Sequence, residues 1–387
     1  MSQQSLSEAC WDTFKQLSDT VRFIGCNGLD FDHRKPPNIF TYITIFLVIL
    51  LHIMGLTSMY LFSDSLEKMA EAIFTVVIAA QAGAKVYMVA RDFTIFHELV
   101  NLATGFVAEY LENPNVCSIF RRYINACNIF RRYIARLYTF VGIGLIGGSI
   151  SIPVITKTKI LPYGGVLPIL DHESDYGYLI NLVTYMFIII YGVFGFFVSD
   201  YFYLNAMFMA CGQIETIDVI CQDLTTYLEK HEPHEIRKID SLIAMIVKTQ
   251  QRHTKYMAVF DEQFSLHSFV IIMSSMMGIA ISMFLFLKKG WINGVLMIIV
   301  FFWEIFTLCL MGGIYLIKLE KAEIELYETK WYLLPEKKQR MFVCIIQYMQ
   351  AIKEPAALSY VPLNFNTFVN CLKLMYQLLM VLLNMST

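Results

Sequence analysis

Residues 34–62 read RKPPNIFTYITIFLVILLHIMGLTSMYLF. A basic pair and two prolines give way to a run without a carboxylate, lysine or arginine, longer than the ~20 apolar residues a bilayer core requires. The prolines mark its edge, because a helix tolerates proline only in its first turn. Six further stretches of the same kind follow, at roughly 67–90, 133–154, 178–211, 264–287, 292–317 and 363–385. Together with 37–62 they predict an all-α membrane protein with seven transmembrane helices. Of the 30 Lys+Arg, Lys68, Lys157, Lys159, Lys288 and Lys289 adjoin the connections on one side. Lys373 lies inside the last stretch, and the others adjoin the opposite side. Basic residues accumulate on the cytosolic side of short connections. The pattern therefore predicts a cytosolic N-terminus and, with an odd number of crossings, an extracellular C-terminus.

Composition agrees. The 387 residues are 57% hydrophobic and 16% charged, with mean hydropathy +0.54, too apolar for a water-soluble globule. A net charge of −2 gives no case for nucleic acid. The first 36 residues carry Asp12, Lys15, Asp19, Arg22 and Asp32 and no apolar core, so the first span is expected to direct insertion rather than a cleaved leader. None of the nine cysteines falls in the connections at 63–66, 155–177 or 288–291, which argues against a structural disulfide. Enzyme signatures are missing, and no cofactor is implied. His231 and His234 stand beside Pro233 in a charged loop and read as solvated rather than as metal ligands. The sequon Asn384-Met385-Ser386 abuts the membrane and reads as accidental.

Along the chain, the segment 1–36 is cytosolic, 37–211 holds helices 1–4, 212–263 is a cytosolic loop and helix, 264–317 holds helices 5–6, 318–362 is a cytosolic anchor and 363–387 is helix 7. Ala79, Ala80, Gly83 and Ala84, then Gly144 and Gly148, then Ser274 and Gly278 allow close helix approach within a bundle. Ile119–Ile124 and Ile129–Ile134 repeat IFRRYI. Ten residues turn the copies about 80° apart on a helix, so the duplication reads as a supply of interfacial anchors, with a lipid-headgroup site as the sharper alternative. Leu242, Ile243, Ile246, Tyr256, Val259 and Phe260 form a helical stripe beside Lys248, Arg252 and Lys255, which predicts a helix running from water into span 5. Residues 318–325 continue span 6 with paired charges. Residues 336–353, after Pro335, form an amphipathic helix with Phe342, Ile345, Ile346 and Met349 on one face.

The run Tyr327-Glu-Thr-Lys-Trp331-Tyr-Leu-Leu-Pro335, then Arg340, Gln350, Pro355, Pro362-Leu-Asn-Phe365, Leu372-Lys373, Tyr376 and Leu379–Leu383, resembles the insect odorant receptor family. Met375 before Tyr376 favours the odorant branch over the gustatory one. The short connection between spans 4 and 5 resembles an odorant-specific tuning subunit rather than the longer coreceptor. The resemblance implies a ligand-gated, non-selective cation channel in the plasma membrane of an olfactory sensory neuron. It further implies a heterotetramer with coreceptor subunits, a small volatile odorant as ligand and permeating cations. Trp331, Phe342, Ile345, Ile346, Met349 and Tyr376 would then lie at subunit interfaces.

The same resemblance places a gate at Val381, Asn384 and Met385, with Met385 where leucine is usual. An apolar ring gates by dewetting, and an amide helps replace hydration. Lys373 either snorkels to the cytosol or borders the conduction path. Asp200 and Glu304 read as interhelical polar contacts. In the family the odorant pocket lies between helices 2, 3, 4 and 6. The matching stretches offer Ile73, Phe74 and Val77; Gly147 and Ser151; Tyr185, Ile188 and Ile189; and Phe301 and Phe302, with Tyr185 and Ser151 as polar handles. Phe74, Tyr185 and Phe302 suggest an aromatic odorant with one hydrogen-bonding group. Plain helix packing would use the same residue types. The rival class, a G-protein-coupled or gustatory-type chemoreceptor with seven helices, predicts for its G-protein-coupled form an outside N-terminus and a proline inside helix 7, which this chain lacks.

Overall fold

The structure is a computed structural model that describes residues 4–16, 39–90, 93–156, 161–168, 170, 174–230 and 236–386. The boundary at Arg34–Pro37 and the pair His231 and His234 lie outside the described residues. Helices follow in the order α1 (Gln4–Lys15), α2 (Ile39–Leu61), α3 (Leu66–Ala90), α4 (Phe93–Glu109), α5 (Pro114–Thr156), α6 (Asp175–Lys230), α7 (Ile236–Lys289) and α8 (Ile292–Glu328). A 3-10 turn (Trp331–Leu333), α9 (Glu336–Gln350) and α10 (Phe365–Met385) complete the chain, with a small antiparallel pair, Ala356–Ala357 against Val361–Pro362, before α10. Seven of these helices, α2, α3, α5, α6, α7, α8 and α10, are long and apolar enough to cross a membrane.

Four of them overshoot it, α5 with 43 residues among them. With 56 residues, α6 is about 84 Å long against a hydrocarbon core of about 30 Å. Its neighbours α7, with 54 residues, and α8, with 37, run beside it. One end of the bundle, which carries α1, α4 and α9, is therefore extended. The short end holds the turns near 62–65 and 290–291 and the loop at 161–170. At the extended end α6 is buried on every side from Val198 to Asp218, as befits the axis of a packed assembly. Phe14 of α1 meets Phe202 edge-on at 5.7 Å, and Phe96 of α4 stacks on the same ring at 3.8 Å. Polar groups key α1 in place: Asn205 Nδ2 donates to Thr13 Oγ1 at 3.0 Å, and Cys127 Sγ donates to Asn205 Oδ1 at 3.2 Å.

Two expectations change here. The residues after 211 were expected to leave the helix as a loop, because Glu215, Asp218 and Asp223 crowd the stretch. The helix instead runs unbroken to Lys230. Its buried carboxylates have partners on neighbouring helices: Tyr123 Oη donates to Glu215 at 2.9 Å, Arg122 and Lys318 pair with Glu215, and Lys321 pairs with Asp218 at 2.9 Å. The helix that holds the third apolar stretch begins well before 133, since α5 starts at Pro114 and carries both IFRRYI copies on one continuous helix.

Near the C-terminus, α9 packs by Phe342, Ile345 and Met349, all buried within the chain. Trp331 stacks on Phe342 at 6.4 Å. Those three side chains belong to the chain's own core, so they are not available to a neighbouring subunit. The uncovered apolar side chains of α9 are Met341, Val343 and Tyr348. Ahead of α10, Asn364 Oδ1 accepts from the Thr367 amide at 3.1 Å, the N-cap that starts the last helix.

Candidate functional site

Between α2, α3, α5, α6 and α8 lies a cavity of about 100 Å³. Leu47, Leu51, Ile78, Leu145, Met297 and Val300 form much of its apolar wall. Ile188 and Ile189, expected from the sequence, also line it. At its deep end sits Lys85, which the sequence offered only as one of many basic residues. Its ammonium pairs with Asp200 at 2.5 Å and with Glu304 at 2.7 Å, all three side chains being almost wholly buried. It also lies 4.3 Å from the ring centre of Phe196. Tyr138 Oη donates to Asp200, Gln81 Nε2 donates to Glu304, and Ser275 Oγ donates to Glu304 at 3.2 Å. One buried network thus ties α3, α5, α6, α7 and α8 together. Asp200 and Glu304 make the interhelical contacts expected of them; the cation between them went unrecognised.

The short end of the cavity is roofed by the loop 161–168. Its backbone is held by side chains from three helices. Val166 N donates to Ser58 Oγ at 2.8 Å, Gly165 N to Thr75 Oγ1 at 3.0 Å, and Leu167 N to Asn181 Oδ1 at 2.9 Å. Tyr185 Oη donates to the Gly165 carbonyl at 2.5 Å. Tyr185, expected to be a polar handle for a ligand, therefore spends its hydroxyl on the roof. Glycine at 164 and 165 is dictated by proximity: a Cβ at Gly164 would overlap Glu71, and one at Gly165 would come within 2.9 Å of Thr75 and Tyr185. The loop contributes Tyr163 to the cavity wall, its ring edge-on to Tyr185 at 5.3 Å.

The other expected pocket residues divide. Phe74, Val77 and Phe301 are buried and Ile73 partly so. They form a layer behind the wall, where Phe74 meets Trp291 at 5.0 Å and Phe301 at 6.0 Å. Gly147, Ser151 and Phe302 lie off the cavity wall. Ser151 Oγ is returned to the Gly147 carbonyl at 2.7 Å, and Phe302 packs against Phe368 of α10 at 5.7 Å. The resemblance pointed to helices that do wall this cavity, but the residues it offered on α5, and Phe302 on α8, lie off the wall. Tyr138, Val141 and Leu145 of α5 occupy that place.

A second feature is α10. Its buried residues Cys371, Met375 and Leu379 make a single narrow stripe, flanked by partly buried Phe368, Leu382 and Leu383, and the opposite side of the helix is uncovered by this chain. At about 100° per residue, Asn366, Asn370, Lys373, Gln377 and Asn384 cluster on the side opposite that stripe, and all five are exposed. Val381 and Met385 are exposed beside them, as is Tyr376. A helix in lipid has no reason to gather its polar side chains on an uncovered face unless that face meets water or another polar surface.

Residues 65–376 match the family model described as 7tm Odorant receptor. Solved structures of similar fold include the insect olfactory receptor OR5 from Machilis hrabei in complex with eugenol, with a TM-score of 0.80, 14% sequence identity, and coverage of 96% of this chain and 97% of that one. A second structure of OR5 from the same organism gives a TM-score of 0.77 and 14% identity over 95% and 97% of the two chains. At that identity the likeness concerns the fold.

Proposed function

The chain belongs to the 7tm odorant receptor family, and on that premise we propose that it is an odorant-gated, non-selective cation-channel subunit of the insect type. Its short end faces the exterior and its extended end the cytosol, in the plasma membrane of an olfactory neuron. The distribution of Lys and Arg over the connections supports that orientation. The ligand site is the cavity walled by Leu145, Ile188, Ile189, Met297 and Val300 and roofed by Tyr163. Ile73, Phe74, Val77, Tyr185 and Phe301 shape that wall from behind. A small, mostly apolar cavity with few polar groups suits a volatile ligand.

The observation that carries the channel reading is the uncovered polar stripe of α10. Copies of α10 around a central axis would turn Lys373, Gln377 and Asn384 towards permeating ions, with Val381 and Met385 narrowing the outer mouth. The assembly is a heterotetramer with coreceptor subunits, this chain being the tuning subunit. Trp331, Ile346 and Tyr376, with the uncovered face of α9, meet the neighbours. Ligand acts by binding the open arrangement more tightly than the closed one.

The test is electrophysiological. Cells expressing the chain with a coreceptor are exposed to a panel of volatiles while G-protein signalling is blocked. Odorant currents that persist under the block are expected; currents that vanish with it would replace the channel reading by a metabotropic one.

A further inference from the structure

The polar groups on the cavity wall are not equally free. Lys85 is engaged by two carboxylates, and Tyr138 Oη is committed to Asp200. Thr44 Oγ1 donates to the Phe40 carbonyl at 3.0 Å. Tyr163 differs. Its side chain is 5% exposed, it lines the cavity, and among the described residues its hydroxyl has no hydrogen-bond partner. Its position is fixed on two sides. The roof backbone is clamped by Ser58, Thr75 and Asn181, and the ring rests against Tyr185 and Phe74. A preorganised hydroxyl that opens on a cavity binds with little loss of freedom.

We propose that the cavity selects small neutral carbonyl compounds, ketones or aldehydes, whose oxygen accepts a hydrogen bond from Tyr163 Oη. The inference rests on reading the cavity as the ligand site and adds the chemical class of its occupant. Three physical arguments lead to it. First, an alcohol accepting from Tyr163 needs a further acceptor for its own proton, and going without one costs about 1–3 kcal/mol. A carbonyl has no donor to strand. Second, the deep end presents an ammonium already matched to two carboxylates. An anion meets an excess of like charge there, and a charged ligand of either sign loses its hydration among apolar walls. Third, a cavity of about 150 Å³ holds benzene. The present one, at about 100 Å³, takes a molecule of similar size or smaller.

The probes are butanone and its isostere 2-methyl-1-butene, which replaces the carbonyl oxygen by a methylene. The full chain is reconstituted in lipid nanodiscs with a coreceptor, and equilibrium binding of each probe is measured. Wild type is expected to prefer butanone by about 10-fold, the worth of one buried hydrogen bond. In Tyr163→Phe the preference should vanish or reverse, since the carbonyl is left without a donor, while alkene affinity stays, which also shows that the variant is folded. A preference that survives Tyr163→Phe overturns the inference. Leu145→Trp, which fills the cavity, separates that failure from a deeper one. If it abolishes binding of both probes, the cavity reading stands although Tyr163 is not its donor. Binding of both probes that persists in Leu145→Trp, or no binding by wild type, overturns the cavity reading and the inference together.

Discussion

Replacing Lys85 by methionine keeps most of the side chain's length and removes its charge. Asp200 and Glu304 would then face each other across the place the ammonium held, each deprived of its ion pair at 2.5 and 2.7 Å. Tyr138 still donates to Asp200, and Gln81 and Ser275 still donate to Glu304, so neither carboxylate is wholly abandoned. What is lost is the countercharge, in a position where all three side chains are sealed from water. Removing one partner of a buried pair costs about 3–5 kcal/mol. At an unfolding entropy of about 2.1 cal/mol/K per residue, that corresponds to a fall of about 4–6 °C in Tm for a chain of this length. Helices that persist in detergent lower that entropy, so the fall should be at least this large. The measurement is thermal unfolding of the purified chain in one detergent. Lys85→Met/Asp200→Asn/Glu304→Gln, which removes the charges together, should recover most of the loss, because buried ion pairs are replaceable by neutral groups. A drop of less than about 1 °C in Lys85→Met, or no recovery in the triple variant, would refute the view that these charges depend on one another.

Gly164→Ala should lift the roof, since its new Cβ has no room beside Glu71. Amide exchange at 163–167 should accelerate and ligand affinity fall, whereas Gly147→Ala, with nothing within 4 Å, should leave both unchanged. Burial against α6 pushes the Cys10 thiol up to about 12, so at pH 8 it stays a thiol. Maleimide should spare it in the folded chain and label exposed Cys344, as read by mass spectrometry. Labelling of Cys344 should slow on assembly with coreceptor, because α9 would then be covered. Lys373→Gln should raise unitary cation conductance if Lys373 borders the conduction path, by removing a repelling charge. An unchanged conductance assigns it to the headgroup region.

Much of this architecture is written in hydropathy. The seven apolar stretches identify the crossing helices because a bilayer demands length and uniform apolarity together, and few other environments do. The water-exposed extensions were harder to see. Glu215 and Asp218 suggested a loop because a lone carboxylate is rarely buried, and their partners Arg122, Lys318 and Lys321 lie about a hundred residues away in each direction. No local pattern announces such pairs. Lys85 was obscured for the same reason. Three charged residues in three different apolar stretches were all visible, and since each is expensive alone, their mutual pairing was the available signal. The cavity resisted prediction at finer grain. Which residue on a helix faces inward depends on rotation, and a turn of one residue exchanges Leu145 for Ser151's side of α5. Tyr163 lies in a connection with no periodicity at all, so only the folded roof brings it to the wall.

The arrangement also says how a cavity at one place could act on a helix at another. Val300, on the cavity wall, and Glu304, in the ion network, are one turn apart on α8. Two turns further along, α8 meets the residues that lead into α10 at close range. At Gly312 the space of a Cβ is taken by the Leu363 carbonyl, and at Gly313 by the Phe365 ring. An unbroken helix transmits displacement along its axis, and the backbone contact at Gly312 leaves little that is soft to absorb it. A ligand that shifts Val300 would thus move the N-terminus of α10 rather than merely loosen its surroundings. Gly312→Ala tests this. The added methyl would push Leu363 away, so the closed and open arrangements should be displaced relative to each other while the cavity, about 18 Å removed along α8 at Val300, keeps its shape. Binding of a ligand measured at equilibrium should change less than about twofold, and spontaneous open probability should change several-fold. Equal losses in binding and gating, or no effect on either, would mean that α8 does not carry the signal.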